Sequence, residues 1–196
     1  MKLKNSHWWL IGVGAVIVIL LLSFWGMHSG LVNADENVNQ KWGNVQTAYQ
    51  RRADLIPNLV ETVKGFRNHE AATLTKITEL RSEAGQAKVN IDAATNPAEI
   101  EAAMGSMNSV LSRLLVIVEQ YPDLKANENF LSLQDELAGT ENRIKVERDG
   151  FNEAVKNYNL KIRKFPSNIV AGMFGFGLKT MFEAEAGSEI APQVGF

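Results

Sequence analysis

The 196-residue sequence predicts an all-α protein, in which one N-terminal transmembrane helix precedes a long antiparallel bundle of three to four helices. Three observations carry that expectation. The eighteen residues from Trp8 to Trp25 are free of any Asp, Glu, Lys or Arg and almost wholly apolar. Beyond them, apolar residues recur at alternating spacings of three and four, the mark of a packed helix face. No stretch alternates with period two between turn dipeptides, so a sheet has no support.

The anchor comes first. Residues 1–34 form the N-terminal segment, with the span at about 8–27, and WWLIGVGAVIVILLLSFW is its core. Eighteen helical residues rise about 27 Å, close to the roughly 30 Å of a bilayer's hydrocarbon. Trp8, Trp9 and Trp25 bracket the run, where amphipathic rings favour the two interfaces. The run exceeds the apolar region of a cleavable signal peptide, about 7–15 residues, and no good cleavage site follows. Lys2 and Lys4 precede the span whereas Asp35 and Glu36 follow it. Retention of positive charge inside predicts a cytoplasmic N-terminus and a bundle outside the inner or cytoplasmic membrane.

Residues 35–170 are expected to form the bundle, with helices at about 35–84, 97–121 and 127–165. Stepping by seven from Trp42 gives Trp42, Tyr49, Ile56, Val63, Glu70 and Ile77. The companion row is Val45, Arg52, Leu59, Phe66, Thr73 and Leu80, and nine of these twelve positions are apolar or aromatic. Pro57 inside this helix predicts a kink or a one-turn interruption near residues 52–55. In the second helix Ile100, Met104, Met107, Leu111, Leu114, Val118 and Tyr121 make one stripe. Asn96 as N-cap, Pro97 and Glu99 mark its start, and Pro122 its end. The third helix carries Phe130, Leu137, Ile144, Phe151, Tyr158 and Phe165 seven apart, a coiled-coil-like repeat. Short links, 84–96 and 122–126, favour antiparallel neighbours. The aromatic and Met stripes are read as core.

The run RRADLIPNLVETVKGFRNHE (Arg51 to Glu70), the later FNEAVKNYNLKIRKFPSNIVA (Phe151 to Ala171) and a tail of the form GFG…FEAEAGSEIAPQVGF resemble the LemA family over nearly the whole chain. The resemblance implies a single-anchor bacterial membrane protein with a long antiparallel helical bundle. It implies no established catalytic residues to carry over. Arg51, Arg52, Asp54, Asn58, Glu61, His69, Glu70, Asn152 and Asn159, the polar residues of these motifs, are expected to be structural.

Composition narrows the chemistry. There is no cysteine, which removes disulfides, thiolate catalysis and Cys-ligated metals. Three scattered histidines do not make a His-rich metal site, and neither HExxH nor GxSxG occurs. The glycines of GMFGFG lack the strand-before, helix-after setting and the following GKS or GKT of a phosphate loop. After residue 34 the chain holds all twenty-two acids against eighteen of the twenty bases, a net of −4, which argues against nucleic acid as a partner. No catalytic, cofactor-binding or metal residue is therefore singled out, and the chain is not expected to be an enzyme.

Polarity on the seam is the anomaly. Arg52, Glu70 and Thr73 fall at core positions, and a buried charge is too costly to keep unpaired, so Arg52 should meet a carboxylate. Glu147, near the seam of the third helix, is the candidate. The expected role of this cluster is to fix helix register. The alternatives are an enzyme accessory or a ligand- or peptide-binding module built around Arg52, His69 and Glu70, or a heptad frame that slips at Pro57 and leaves Arg52 facing water.

Residues 171–196 form an apolar, then acidic, tail. Gly172, Gly175 and Gly177 disfavour a helix, at about 1 kcal/mol each relative to Ala. Phe174, Phe176, Leu178, Met181 and Phe182 carry apolar surface that must fold back on the bundle, dip into lipid or dock on another copy or a partner. The acids from Glu183 on disfavour an anionic lipid surface, back-folding is the plain alternative, and contact with another copy is the expectation, because tethering raises the effective concentration of neighbours. The sequence thus points to a non-enzymatic, membrane-anchored scaffold of the cell envelope. Its partners are the lipid bilayer, further copies of itself and unidentified envelope proteins, and it needs no cofactor.

Overall fold

A computed structural model describes residues 6–65 and 70–183. These residues form six helices and no strand. The helices are α1 (Ser6–Lys64), α2 (Ala71–Ala93), α3 (Pro97–Val118), α4 (Pro122–Lys125), α5 (Glu128–Arg163) and α6 (Ser167–Phe174). The chain divides into two compact units. One combines Met1–Gln40 with Glu153–Lys179, and the other combines Lys41–Asn152 with the chain from Thr180 onward.

In the second unit the seam residues of α1 are buried as their spacing requires: Val45, Tyr49, Ile56, Leu59 and Val63. Pro57 lies within α1, which continues through it to Lys64. The seven-residue rows predict one helix over 35–84. Instead α1 stops at Lys64 with Gly65 in a turn, and a separate α2 begins at Ala71. The rows turn polar at Glu70 and Thr73, beside the break, and resume at Ile77 and Leu80, which are buried in α2. The expected link 84–96 is helical almost to its end, because Ala84, Ala87 and Ile91 extend the stripe begun by Ile77 and Leu80. Glu70 is exposed and immediately precedes α2, and Thr73 is half-buried, its hydroxyl accepting from Tyr121 at 3.4 Å.

Cross-helix pairs fix the register. Gln46 donates to the Ala94 carbonyl at 3.1 Å, Asp54 pairs with Lys88 at 2.6 Å, and Glu61 pairs with Arg81 at 2.7 Å. Numbers therefore rise along α1 as they fall along α2. Glu83 of α2 pairs with Arg113 of α3. The stripe of α3 is buried at Ile100, Met104, Met107, Leu114 and Val118. Its start is a reciprocal cap. The Asn96 side chain accepts from the Glu99 N–H at 3.1 Å, and the Glu99 carboxylate accepts from the Thr95 N–H and hydroxyl at 2.8 and 2.9 Å. These bonds, the backbone one foremost, hold the Glu99 carboxyl below its ordinary pKa. In α5 the repeat is buried at Phe130, Leu137, Ile144 and Phe151, and in the first unit at Tyr158. It fails at Phe165, which is 80% exposed, because α5 ends at Arg163 and that residue lies beyond it.

In the first unit the apolar stretch of α1 is exposed along its length. Further on, Leu31 packs with Val170 and Ala171 of α6, flanked by Phe24, Met27, Ile162 and Phe176. The glycines therefore do not prevent a helix. Burial of Val170 and Ala171 offsets Gly172, and Gly175, at φ 75°, supplies the left-handed turn that ends α6.

Candidate functional site

The polar residues of the two motifs gather at two centres, one in each unit. In the second unit Arg52 is buried, as its seam position demands. One guanidinium nitrogen pairs with Glu141 and the other donates to the Asn108 side-chain oxygen at 3.1 Å, while Nε is buried without a hydrogen-bond partner. Burial lowers the Arg52 pKa from its ordinary value, and Tyr49 opposes that shift. Glu147 is not the partner of Arg52. It is buried and pairs with Arg143 one turn earlier at 2.9 Å. A side chain as long as arginine reaches past the seam to a carboxylate at its edge, which apolar spacing alone does not locate.

Arg148 is the second cation of this centre, and the sequence reading passed over it. It pairs with Glu101 at 2.6 Å, donates to the Glu183 carbonyl at 3.1 Å and lies 4.8 Å over the Phe182 ring. Phe182 itself is buried, its ring edge-on to Phe151 at 5.5 Å and stacked with Trp42 and Tyr49 at 6.1 and 6.4 Å. Tyr49 is raised in pKa by its burial, with the charge of Arg148 opposing. A cleft of about 370 Å³ opens here, lined by Tyr49, Arg52, Asn108, Glu141, Arg148 and Glu183 among others.

Asn152 and Asn159 turn out to be backbone clamps. Asn152 donates to the Phe182 carbonyl at 3.1 Å and accepts from the Phe182 N–H at 2.8 Å. In the first unit Asn159 does the same to Lys179, at 2.8 and 3.0 Å. A primary amide is the one side chain that offers a donor and an acceptor side by side, the pattern an extended residue presents. The spacing of Arg148, Asn152 and Asn159 along one polar edge of the α5 seam was the signal available in the sequence. The Lys179 ammonium pairs with Asp35 at 2.7 Å, donates to Asn39 at 3.0 Å and sits 5.2 Å from the Tyr158 ring centre. Burial, and then Asp35, which accepts the Tyr158 hydroxyl, push the Tyr158 pKa up to about 12.

The remaining motif residues are dispersed. Arg51 is exposed and pairs with Glu136 at 2.6 Å, and Asp54 and Glu61 hold α2. Asn58 is exposed, its carbonyl accepting from Thr62. His69 lies outside the described residues, and Glu70 shares no hydrogen bond or ion pair with Arg52. Of the tail residues expected to face another chain, Phe182 belongs to the core. Phe176 packs on Leu31, Val170 and Ala171. Phe174, half exposed, has its ring against Phe24 and His28 at 5.9 and 4.4 Å. Leu178 and Met181 are exposed. Trp8, Trp9 and Trp25 are exposed along the apolar part of α1.

An all-helical chain with an apolar, uncovered N-terminal helix and polar centres that clamp its own tail is the class these features define. The chain belongs to the LemA family, whose model matches residues 41–196. It is similar to Protein LemA of Metamycoplasma hominis, 27% identical over 168 residues covering 86% of this chain and 74% of that protein. It is also similar to magnetosome protein MamQ 2 of Paramagnetospirillum magneticum, 26% identical with 94% and 74% covered. Magnetosome protein MamQ of Magnetospirillum gryphiswaldense is 27% identical, with 92% and 73% covered.

Proposed function

We propose that this LemA-family chain is a membrane-anchored, non-enzymatic scaffold of the bacterial envelope, crossing the membrane once and presenting an antiparallel helical bundle outside. The observation that carries the reading is the apolar stretch of α1, of which the most apolar eighteen-residue window has no residue buried. Such a surface is stable in lipid and costly in water. Helix α3 is also apolar enough to span by composition. It instead buries one stripe and pairs Arg113 with Glu83 of α2, which favours a single span. The opposed numbering of the α1–α2 pairs supports antiparallel neighbours, as does that of Trp42–Phe151 and Arg51–Glu136 between α1 and α5. The polar centres are spent on holding the chain to itself, which supports a structural part for them.

The scaffold associates with further copies or with envelope proteins in the plane of the membrane, where tethering favours encounters. Met181 is exposed and suits a photo-crosslinker. In native membranes it is expected to yield a chain-to-chain adduct, whereas adducts to lipid alone would contradict self-association. A second reading rests on the cleft at Arg52, where the buried Nε lacks a partner that an anionic or peptide ligand would supply. Under that reading Arg52→Met abolishes the cellular phenotype while the fold is retained.

A further inference from the structure

We propose that Phe165 to Phe174 forms a second membrane contact, with α6 lying in the interface beside the emerging span and the cations that precede it on phospholipid phosphates. The inference rests on α1 crossing the bilayer.

Its first support is the level of α6 along α1. The Phe174 ring lies 5.9 Å from Phe24 and 4.4 Å from His28, and Val170 and Ala171 are buried on Leu31. These contacts tie α6 to residues 24–31, which begin beside Trp25, the aromatic that closes the apolar run. From Trp25 to Leu31 a helix rises about 9 Å. The headgroup region adds roughly 5–8 Å on each side of the hydrocarbon. Helix α6 is thereby held at the height of the interface whenever α1 spans.

The second support is what that helix leaves uncovered. Phe165 is 80% exposed, Ile169 54% and Met173 68%, and Ile169 and Met173 lie one turn apart on one side of α6. A short helix that buries one apolar side on its own chain and bares another suits the boundary between headgroups and acyl chains. The third support is charge. Lys161, Arg163 and Lys164 are exposed at the end of α5, and Lys161 donates to the Gly30 carbonyl, at the same level of α1. From Leu160 to Lys179 there is no Asp or Glu. Aromatic, aliphatic and basic side chains at one level match an acyl–phosphate boundary better than they match a protein surface. The acids of the tail begin only at Glu183. Because the span already holds α6 at the bilayer, the contact needs little affinity of its own.

The chain has no native cysteine, so a spin label at a single introduced one is unique. Full-length protein carrying Ile17→Cys, Glu153→Cys, Ile169→Cys or Met173→Cys is reconstituted in vesicles of equal phosphatidylcholine and phosphatidylglycerol. Relaxation by oxygen, which partitions into lipid, is compared with relaxation by an aqueous nickel chelate. Labels at Ile169 and Met173 are expected to favour oxygen several-fold over the Glu153 label. Nickel access at Ile169 equal to that at Glu153 would overturn the proposal, and so would shielding from both agents, which signals a protein cover. With Ile17 in lipid, either result removes the interfacial helix and leaves the span standing. An Ile17 label exposed to nickel would instead bring down the span itself. In the Ile169→Cys background, Arg163→Gln with Lys164→Gln is expected to reduce the oxygen preference, and an unchanged preference would contradict the phosphate contact.

Discussion

Arg51 and Arg52 are adjacent in sequence, and their environments set them apart. Arg51 pairs with Glu136 on an exposed surface, so Arg51→Ala is expected to cost at most about 1 kcal/mol. Arg52 is buried with an unsatisfied Nε, yet its partner Glu141 stays largely hydrated. Arg52→Ala should therefore destabilise more than Arg51→Ala, while Arg52→Met, which keeps the buried stem, should recover much of the loss; chemical denaturation measures all three. The burial of Arg52 was legible from the seven-residue row. Its partner was not, since one helix's spacing does not give the register of the next. Tyr158 yields a pH test. Its pKa is raised from an ordinary value near 10 to about 12, so the folded state disfavours the phenolate. The contribution is intact below about pH 10 and is lost as pH rises from about 10 to 12. Alkaline melts of Tyr158→Phe are expected to fall less steeply over that window than those of the native chain.

Among the elements, α3 was the most legible, because its cap residues and its stripe agree on the same start. Replacing Asn96 by Ala removes that cap and should cost about 1 kcal/mol. Mid-seam positions of α5 should cost more: Phe151→Ala or Ile144→Ala about 2–5 kcal/mol, read from denaturation midpoints. The break between α1 and α2 was not legible. Gly65 interrupts rows that turn polar at Glu70 and Thr73 and resume in phase at Ile77 and Leu80 on the next helix, and two polar positions do not by themselves tell a stop from a polar patch on one long helix. The tail was hidden for another reason. Its apolar residues have no helical period that names their neighbour, and their position is fixed by two amides, Asn152 and Asn159, whose spacing along α5 marks a polar edge without naming the segment it holds. Phe182→Ala is expected to lower the melting temperature about as strongly as Phe151→Ala, since both rings share one cluster. A substitution at exposed Leu178 should have little effect.

At the scale of the whole chain, the apolar N-terminal stretch was the plainest feature of the sequence, and it forms an uncovered helix long enough to span a bilayer. Eighteen apolar residues ended by tryptophan need no partner to be recognised, because the bilayer's thickness is fixed in advance. What the helical body does is far less legible, since among the described residues many of its charged and amide groups are engaged with one another. The central claim is that α1 crosses the membrane and carries the remaining helices to the outer side. An impermeant maleimide applied to intact cells tests it, using single introduced cysteines at Ser6, ahead of the span, and at exposed Ser109 on α3. Ser109→Cys is expected to label in intact cells and Ser6→Cys only after lysis. Identical labelling at the two positions would contradict the crossing.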